Sequence, residues 1–371
     1  MNFRNIVKSK EFRIIVLILV IVALGTVALA SAAYASDPTY SLIKKQGIAF
    51  VLGVIGMIIA ASIDYEAYTR YWFLMYIPCL VLLVLVLFTE SVNNARSWFQ
   101  FFDGKIAFQP SEIAKIVLII TTAHFLVKLK RTSMSSKNKA TQILLIGLLI
   151  GIPVLLILLQ PDFGTGMVFV AAVLAMIFVW GIDYKIIRLG ILSTLILAPV
   201  TYFFFLKPGQ KQRIQVFLNP DLDPTGAGYH VIQSKLAVGA GQFTGMGLFN
   251  GTQTQMGYLF ANTTDFIFAS IAEELGFIVA VLLIVLLLAL VMQFYGVAKD
   301  ARDEEGRLIA VGIGTMFAFH IFINVGMTMG LVPITGIPLP FVSYGGSAML
   351  TNMIATGIVL GISLRKTGLR F

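Results

Sequence analysis

Apolar runs of about 20 residues recur along this whole 371-residue chain, and they constrain its fold more than any other feature. Each is long enough to cross the ~30 Å hydrocarbon core of a bilayer as a helix. A helix also satisfies its backbone polar groups internally, as lipid requires. Composition agrees: 58% of residues are hydrophobic, 12% are charged and mean hydropathy is +0.90, against roughly 25% charged in soluble domains. The expected fold is an all-α polytopic membrane protein, one transmembrane domain over 1–371. About ten transmembrane helices are expected near 13–34, 46–63, 71–89, 110–128, 141–160, 165–182, 186–206, 266–297, 308–329 and 346–364. No signal peptide is evident, and the first run is long enough to remain as a span. The single Cys79 lies in an apolar run and excludes an intramolecular disulfide.

Placing both termini in the cytoplasm puts 18 of the 27 Lys and Arg inside and 8 outside, with Lys115 within a span. This follows the positive-inside rule. The net charge of +9 therefore reports topology, and no basic run interleaved with aromatics suggests nucleic acid as a partner.

The outer face is unusual. A large extracellular loop, about 207–265, joins the seventh and eighth spans, and loops of that length are commonly functional. Within it Val231, Ser234, Lys235 and Val238 have the spacing of an amphipathic helix lying at the outer leaflet. The segment 330–346, GLVPITGIPLPFVSYGG, holds three Pro and four Gly. It cannot cross lipid as a helix, so a re-entrant segment packed on protein or lining a cavity is expected. No internal repeat and no pair of broken helices of the inverted-repeat type is apparent.

Ionisable residues gather at the outer ends of the spans: Glu112 and Lys115 in QPSEIAKI, Asp162 in QPDFGTG, and Asp265, Glu273 and Glu274 in TTDFIFASIAEELGF. Charges in membrane segments are costly and mark internal pairs or functional sites. Glu112 and Lys115 are three residues apart and share a helix face. Asp162 caps a turn or serves the site. Glu273 and Glu274 point about 100° apart, so one of them is expected to hold a buried partner. Asp265 is either the N-cap of the eighth span or a reactive carboxylate; spacing leaves both open. His124 and His320 read as hydrogen-bonded within the bundle, His230 as a possible substrate contact, and Trp98 as an interfacial anchor or a stacking surface.

Six stretches resemble the SEDS family (shape, elongation, division, sporulation): NNARSWF, QPSEIAKI, QPDFGTG, FLNPDLDPTGAGYHVIQSKLAVGAG, TTDFIFASIAEELGF and GIPLPFVSYGGS, in family order over essentially the full chain. The resemblance implies a peptidoglycan glycosyltransferase, a lipid II polymerase acting at the outer face of the bacterial cytoplasmic membrane during elongation and shape maintenance. It implies lipid II and nascent glycan as substrates, and a class B penicillin-binding protein and elongation-complex proteins as partners. By motif, Asp265 is the catalytic residue. Arg96, Trp98, Glu112, Lys115, Asp162, Arg213, His230, Gln233, Ser234, Lys235 and Ser343 are expected to bind substrate, with Glu273, Glu274, Pro338 and Gly345 in secondary or structural roles. The chain departs from the family where Phe260-Ala261-Asn262-Thr263-Thr264 replaces the usual Pro-Glu-x-His-Thr before the aspartate, and where Gly239-Ala240-Gly241-Gln242 replaces Gly-Ser-Gly-Gly.

The chemistry needs a carboxylate to take the proton of an attacking sugar hydroxyl and positive charge for a departing pyrophosphate. That charge is expected from Arg96, Lys115, Arg213 or Lys235, or from Mg²⁺ or Mn²⁺ held by Asp162 and Glu112; no organic cofactor is implied. A lipid II flippase, a scaffold for a transpeptidase, and a division or sporulation paralogue are the competing readings.

Overall fold

The computed structural model describes residues 9–37, 39–90, 96–101, 106–131, 136–185, 188–189, 192–193, 196, 199, 201–205 and 208–365. Nearly half of the expected span 186–206 lies outside these residues, as do Arg4, Lys8, Lys105, Lys207, Lys366 and Arg370.

Long helices fall on each of the other nine expected spans: α1 Lys10–Ala33, α2 Ser41–Ser62, α4 Trp72–Leu85, α5 Pro110–Arg131, α6 Ser136–Leu159, α7 Phe163–Trp180, α11 Ile267–Lys299, α12 Glu304–Thr328 and α13 Gly346–Leu364. Six of these, α1, α2, α7 and α11 to α13, are long and apolar enough to cross a membrane by themselves. Short elements join them: α3 Tyr65–Arg70, the hairpin β1 Phe99–Phe101 and β2 Ile106–Phe108, α8 Pro208–Leu218, α9 Ala227–Ala240 and α10 Thr252–Gln255. The two strands are antiparallel, with Phe99 opposite Phe108.

The local sequence explains where the helices begin. Ser9 caps α1 by accepting from Phe12 N, Asp303 caps α12 by accepting from Gly306 N, and Pro110 starts α5, where a missing N–H costs nothing. The bundle is drawn together where side chains are small. In α13, Gly357 and Gly361 lie on one face against α2, and a side-chain carbon at Gly357 would fall 2.4 Å from Met57 O, the close approach that small residues four apart permit.

Ion pairs sort the helix ends. Lys10 meets Asp300 at 2.7 Å, Lys130 meets Glu304 at 2.5 Å and Arg365 meets Asp64 at 3.6 Å, all at the end that charge assigned to the cytoplasm. The opposite end carries the hairpin, α8 to α10 and the irregular segment 330–345. That segment packs on protein as expected: Ile337, Leu339, Phe341 and Val342 are all buried.

Two expectations change. Helix α9 does not lie free at an interface. Val231, Ser234 and Ala237 form its buried face, packed against α11 and α12, and the Ser234 hydroxyl donates to Thr328 O at 2.8 Å. Helix α11 is broken at Gly276 (φ 79°, ψ 179°), a conformation that glycine alone tolerates well. The loop 242–247 repairs the break. Met246 and Gly247 N–H donate to the carbonyls of Glu273 and Glu274 (2.9 Å each), while Phe277 and Ile278 N–H donate to those of Gln242 and Phe243 (2.8 and 3.3 Å).

Candidate active site

Asp265 sits in the turn before α11, and three successive carbonyls of that turn are held from outside. Tyr344 N donates to Thr263 O at 2.9 Å, Ser343 Oγ to Thr264 O at 2.7 Å and Asn324 Nδ2 to Asp265 O at 2.9 Å. Gln46 in α2 locks the holder in turn, donating to Ser343 O at 3.1 Å and accepting from Gly345 N at 3.1 Å. The Asp265 carboxylate lies over Gly336, where a side-chain carbon would meet Oδ2 at 3.4 Å; Gly336 has φ 72°. Burial pushes the Asp265 pKa up from 3.8 to about 6, with Arg213 pulling it down and Asp162 pushing it further up.

Asp162 precedes α7 and caps it. Its Oδ1 accepts from Thr165 N at 3.1 Å, and its Oδ2 accepts from Gln109 Nε2 at 3.0 Å, so QPSE and QPDFGTG meet through this contact. Burial raises its pKa too, against the hydrogen bonds from Thr165 and the charge of Lys115. Residues 335–337 run between the two aspartates: a side-chain carbon at Gly164 would lie 2.9 Å from Thr335 O, and Gly336 backs Asp265. Asp162 thus caps α7, and the same 335–337 segment passes both it and Asp265.

Glu112 and Lys115 pair at 2.8 Å, with side chains 3% and 1% exposed. Lys115 Nζ also lies 3.0 Å from His320 Nε2, and His320 Nδ1 lies 3.3 Å from Pro338 O. The expected substrate contacts Glu112 and Lys115 are thus paired with each other and buried. Both are sealed beneath the site and connect to it through His320 and Pro338. His320 and Asn324, one turn apart on α12, were not among the expected site residues; polar residues in an otherwise apolar span were the available signal.

Glu273 holds the buried partner expected of one of the pair, Thr254, and Glu274 is hydrogen-bonded to half-buried Gln255. Glu273 accepts from Gln253 N (2.7 Å), Thr254 N (3.0 Å) and Thr254 Oγ1 (2.6 Å), and Glu274 accepts from Gln255 Nε2 (2.7 Å). They secure α10 and the outer loop. Asn262 joins this loop to the Asp265 turn, donating to Thr254 O at 3.3 Å.

The remaining expected residues are spread more widely. Arg213 is exposed on α8, beside a shallow cleft lined also by Phe217, Val332 and Ile334. Lys235 leans on Gly330 at the start of the irregular segment. His230 is half-buried between Phe260 and Phe266, with ring centroids 5.5 and 6.4 Å away, and burial lowers its pKa. Gln233 is half-buried on α9. The hydroxyl of Ser234 faces the bundle, not the site. Arg96 is exposed and donates to Leu87 O at 3.3 Å, and Trp98 is half-buried next to the hairpin.

For a metal, the described residues assemble no group of three or more His, Cys, Asp or Glu. Glu112 is a poor candidate, being buried against Lys115. Asp162 retains lone pairs on both oxygens, which suits a cation carried mainly by substrate phosphates.

Fold and site together define a polytopic helical membrane protein with buried carboxylates gathered at one end of its bundle. Within that class, a family model for cell cycle proteins of the FtsW/RodA/SpoVE type matches residues 11–368, and the chain belongs to this family. Peptidoglycan glycosyltransferase MrdB of Escherichia coli (strain K12) is 36% identical over 333 residues, covering 90% of this chain and 88% of the relative. Among solved structures, one described under the structural coordination of polymerization and crosslinking by a peptidoglycan synthase complex aligns with TM-score 0.79 and 29% identity, over 95% of this chain and 97% of that one. Rod shape determining protein RodA of Thermus thermophilus aligns with TM-score 0.69 and 27% identity, over 96% and 97%.

Proposed function

We propose that this protein is a peptidoglycan glycosyltransferase that polymerises lipid II at the outer face of the cytoplasmic membrane, in elongation and shape maintenance. The observation that carries the reading is the Asp265 carboxylate, gripped through its main chain and lifted to about 6, in a chain whose relatives bear that activity in their names.

In this reading the C4 hydroxyl of the acceptor sugar attacks the anomeric carbon of a lipid-pyrophosphate donor. The O4–C1 bond forms as the C1–phosphate oxygen bond breaks, the hydroxyl proton passes to Asp265, and undecaprenyl pyrophosphate leaves with inversion. A base poised near the working pH combines ionised population with proton affinity, and such catalysis commonly contributes ~10²–10⁴ in rate. Arg213, whose charge reaches Asp265, is the first candidate to meet the pyrophosphate, with Lys235 and Arg96 behind it. Mg²⁺ or Mn²⁺ shared between Asp162 and substrate phosphates would neutralise the leaving group.

The partner is a class B penicillin-binding protein, a reading supported by the synthase complex whose structure this chain resembles. Purified protein given labelled lipid II tests the function: glycan strands support it, and their absence opposes it.

A further inference from the structure

Helix α12 carries two buried polar side chains one turn apart, His320 at 4% exposure and Asn324 at 0%. A buried polar group needs a partner, and one in a helix often finds a carbonyl of its own preceding turn. These two instead reach across to the same dipeptide. Asn324 Nδ2 donates to Ile337 O at 2.8 Å, and His320 Nδ1 lies 3.3 Å from Pro338 O. Each has a second hold. Asn324 Nδ2 donates to Asp265 O at 2.9 Å, and His320 Nε2 faces Lys115 Nζ at 3.0 Å.

The donors and acceptors fit one arrangement. An ammonium paired with Glu112 only donates, so His320 Nε2 accepts from Lys115, which leaves the ring proton on Nδ1 to donate to Pro338 O. The path then runs from Glu112 to Lys115, His320, Pro338, Ile337 and Asn324, ending at the main chain of Asp265.

We infer that His320 and Asn324 are positioning residues, a bracket on α12 that couples the buried Glu112–Lys115 pair to the backbone carrying Asp265. This rests on the proposed function for its catalytic readout, though not for its structural one. It gives the ion pair a role that its burial otherwise denies it. The pair fixes Lys115, Lys115 fixes the imidazole, and the imidazole and Asn324 set the 337–338 peptide beneath the carboxylate. Displacing a reacting group by about 1 Å costs on the order of 10²-fold in rate.

The test uses full-length protein in lipid nanodiscs: wild type, His320→Leu, His320→Gln and Asn324→Ala. With lipid II, His320→Leu and Asn324→Ala should lose kcat by about 10²-fold with KM within about 3-fold, the pattern of an effect exerted on the transition state. The glutamine places an oxygen near the position of Nε2, so His320→Gln should restore most of the kcat. Amide hydrogen exchange should quicken at 335–345 in His320→Leu while α12 stays protected. Wild-type kcat and wild-type exchange in His320→Leu would overturn the bracket, as would equal inactivity of the Leu and Gln variants with α12 itself deprotected. If wild-type protein makes no glycan, the proposed function fails, and exchange at 335–345 still decides the bracket.

Discussion

The Ser343 hydroxyl donates to the carbonyl of Thr264 at 2.7 Å while accepting from Leu339 N at 2.8 Å. One buried side chain therefore closes the irregular segment on itself and fastens it to the turn that carries Asp265.

Ser343→Ala removes both hydrogen bonds and leaves a buried N–H and C=O short of a partner. Such losses cost about 1–3 kcal/mol. A lowered melting temperature and turnover reduced several-fold are expected for the detergent-solubilised variant. Unchanged values of both would mean that the turn is held without it.

The ion pair makes a sharper case. Removing one member leaves a buried charge uncompensated, at about 3–5 kcal/mol, so Glu112→Ala and Lys115→Ala should each be strongly impaired. Glu112→Leu/Lys115→Leu should recover folding, since apolar replacement of a buried pair is often near neutral, without recovering activity. Expression, melting temperature and turnover of all three variants check this; a fully active double variant would make the pair dispensable.

Much of this fold is legible in the sequence because lipid allows so few alternatives: an apolar run of 20 residues is a helix almost by exclusion. The non-helical course of 330–345 follows from its Pro and Gly content on the same ground. Spacing, however, reports a face of a helix and not a depth. The three-residue spacing of Glu112 and Lys115 puts them on one face, where they pair, yet it does not say that both are buried. The break at Gly276 is one residue in an apolar run, invisible to periodicity, and its repair by residues 242–247 is a contact distant in sequence. His320 is legible only as a residue hydrogen-bonded within the bundle and Asn324 is not singled out at all, because their partners, the carbonyls at 337 and 338, are not beside them in sequence.

The raised pKa of Asp265 links activity and stability to pH in opposite senses. A general base must be ionised, so kcat/KM should rise as pH climbs through about 6. The folded state holds the proton more tightly than the unfolded chain, so ionisation costs stability, with the cost growing from about pH 3.8 to about 6 and constant above. Asp265→Asn, which cannot ionise, should therefore be more stable than wild type at pH 7.5, by roughly 1–3 kcal/mol for a shift of this size. Thermal melts at pH 5 and 7.5 measure it, and a variant less stable at both pH values would contradict the burial argument.

The proposed cation is tested by chelation. Polymerisation should fall when divalent ions are stripped and return with Mg²⁺ or Mn²⁺, and Asp162→Ala should raise the concentration needed by about 10-fold, the scale on which metal-site changes act. Full activity in excess chelator would leave Arg213 and its neighbours to carry the leaving-group charge alone.

The account stands on Asp265 as the base. The direct measurement compares wild type with Asp265→Asn and Asp265→Ala, purified in the same detergent, each shown to be folded by a cooperative thermal melt, and supplied with labelled lipid II. Wild type should yield long glycan strands and both variants none above background. Strands from either variant at near wild-type rate would contradict the central claim.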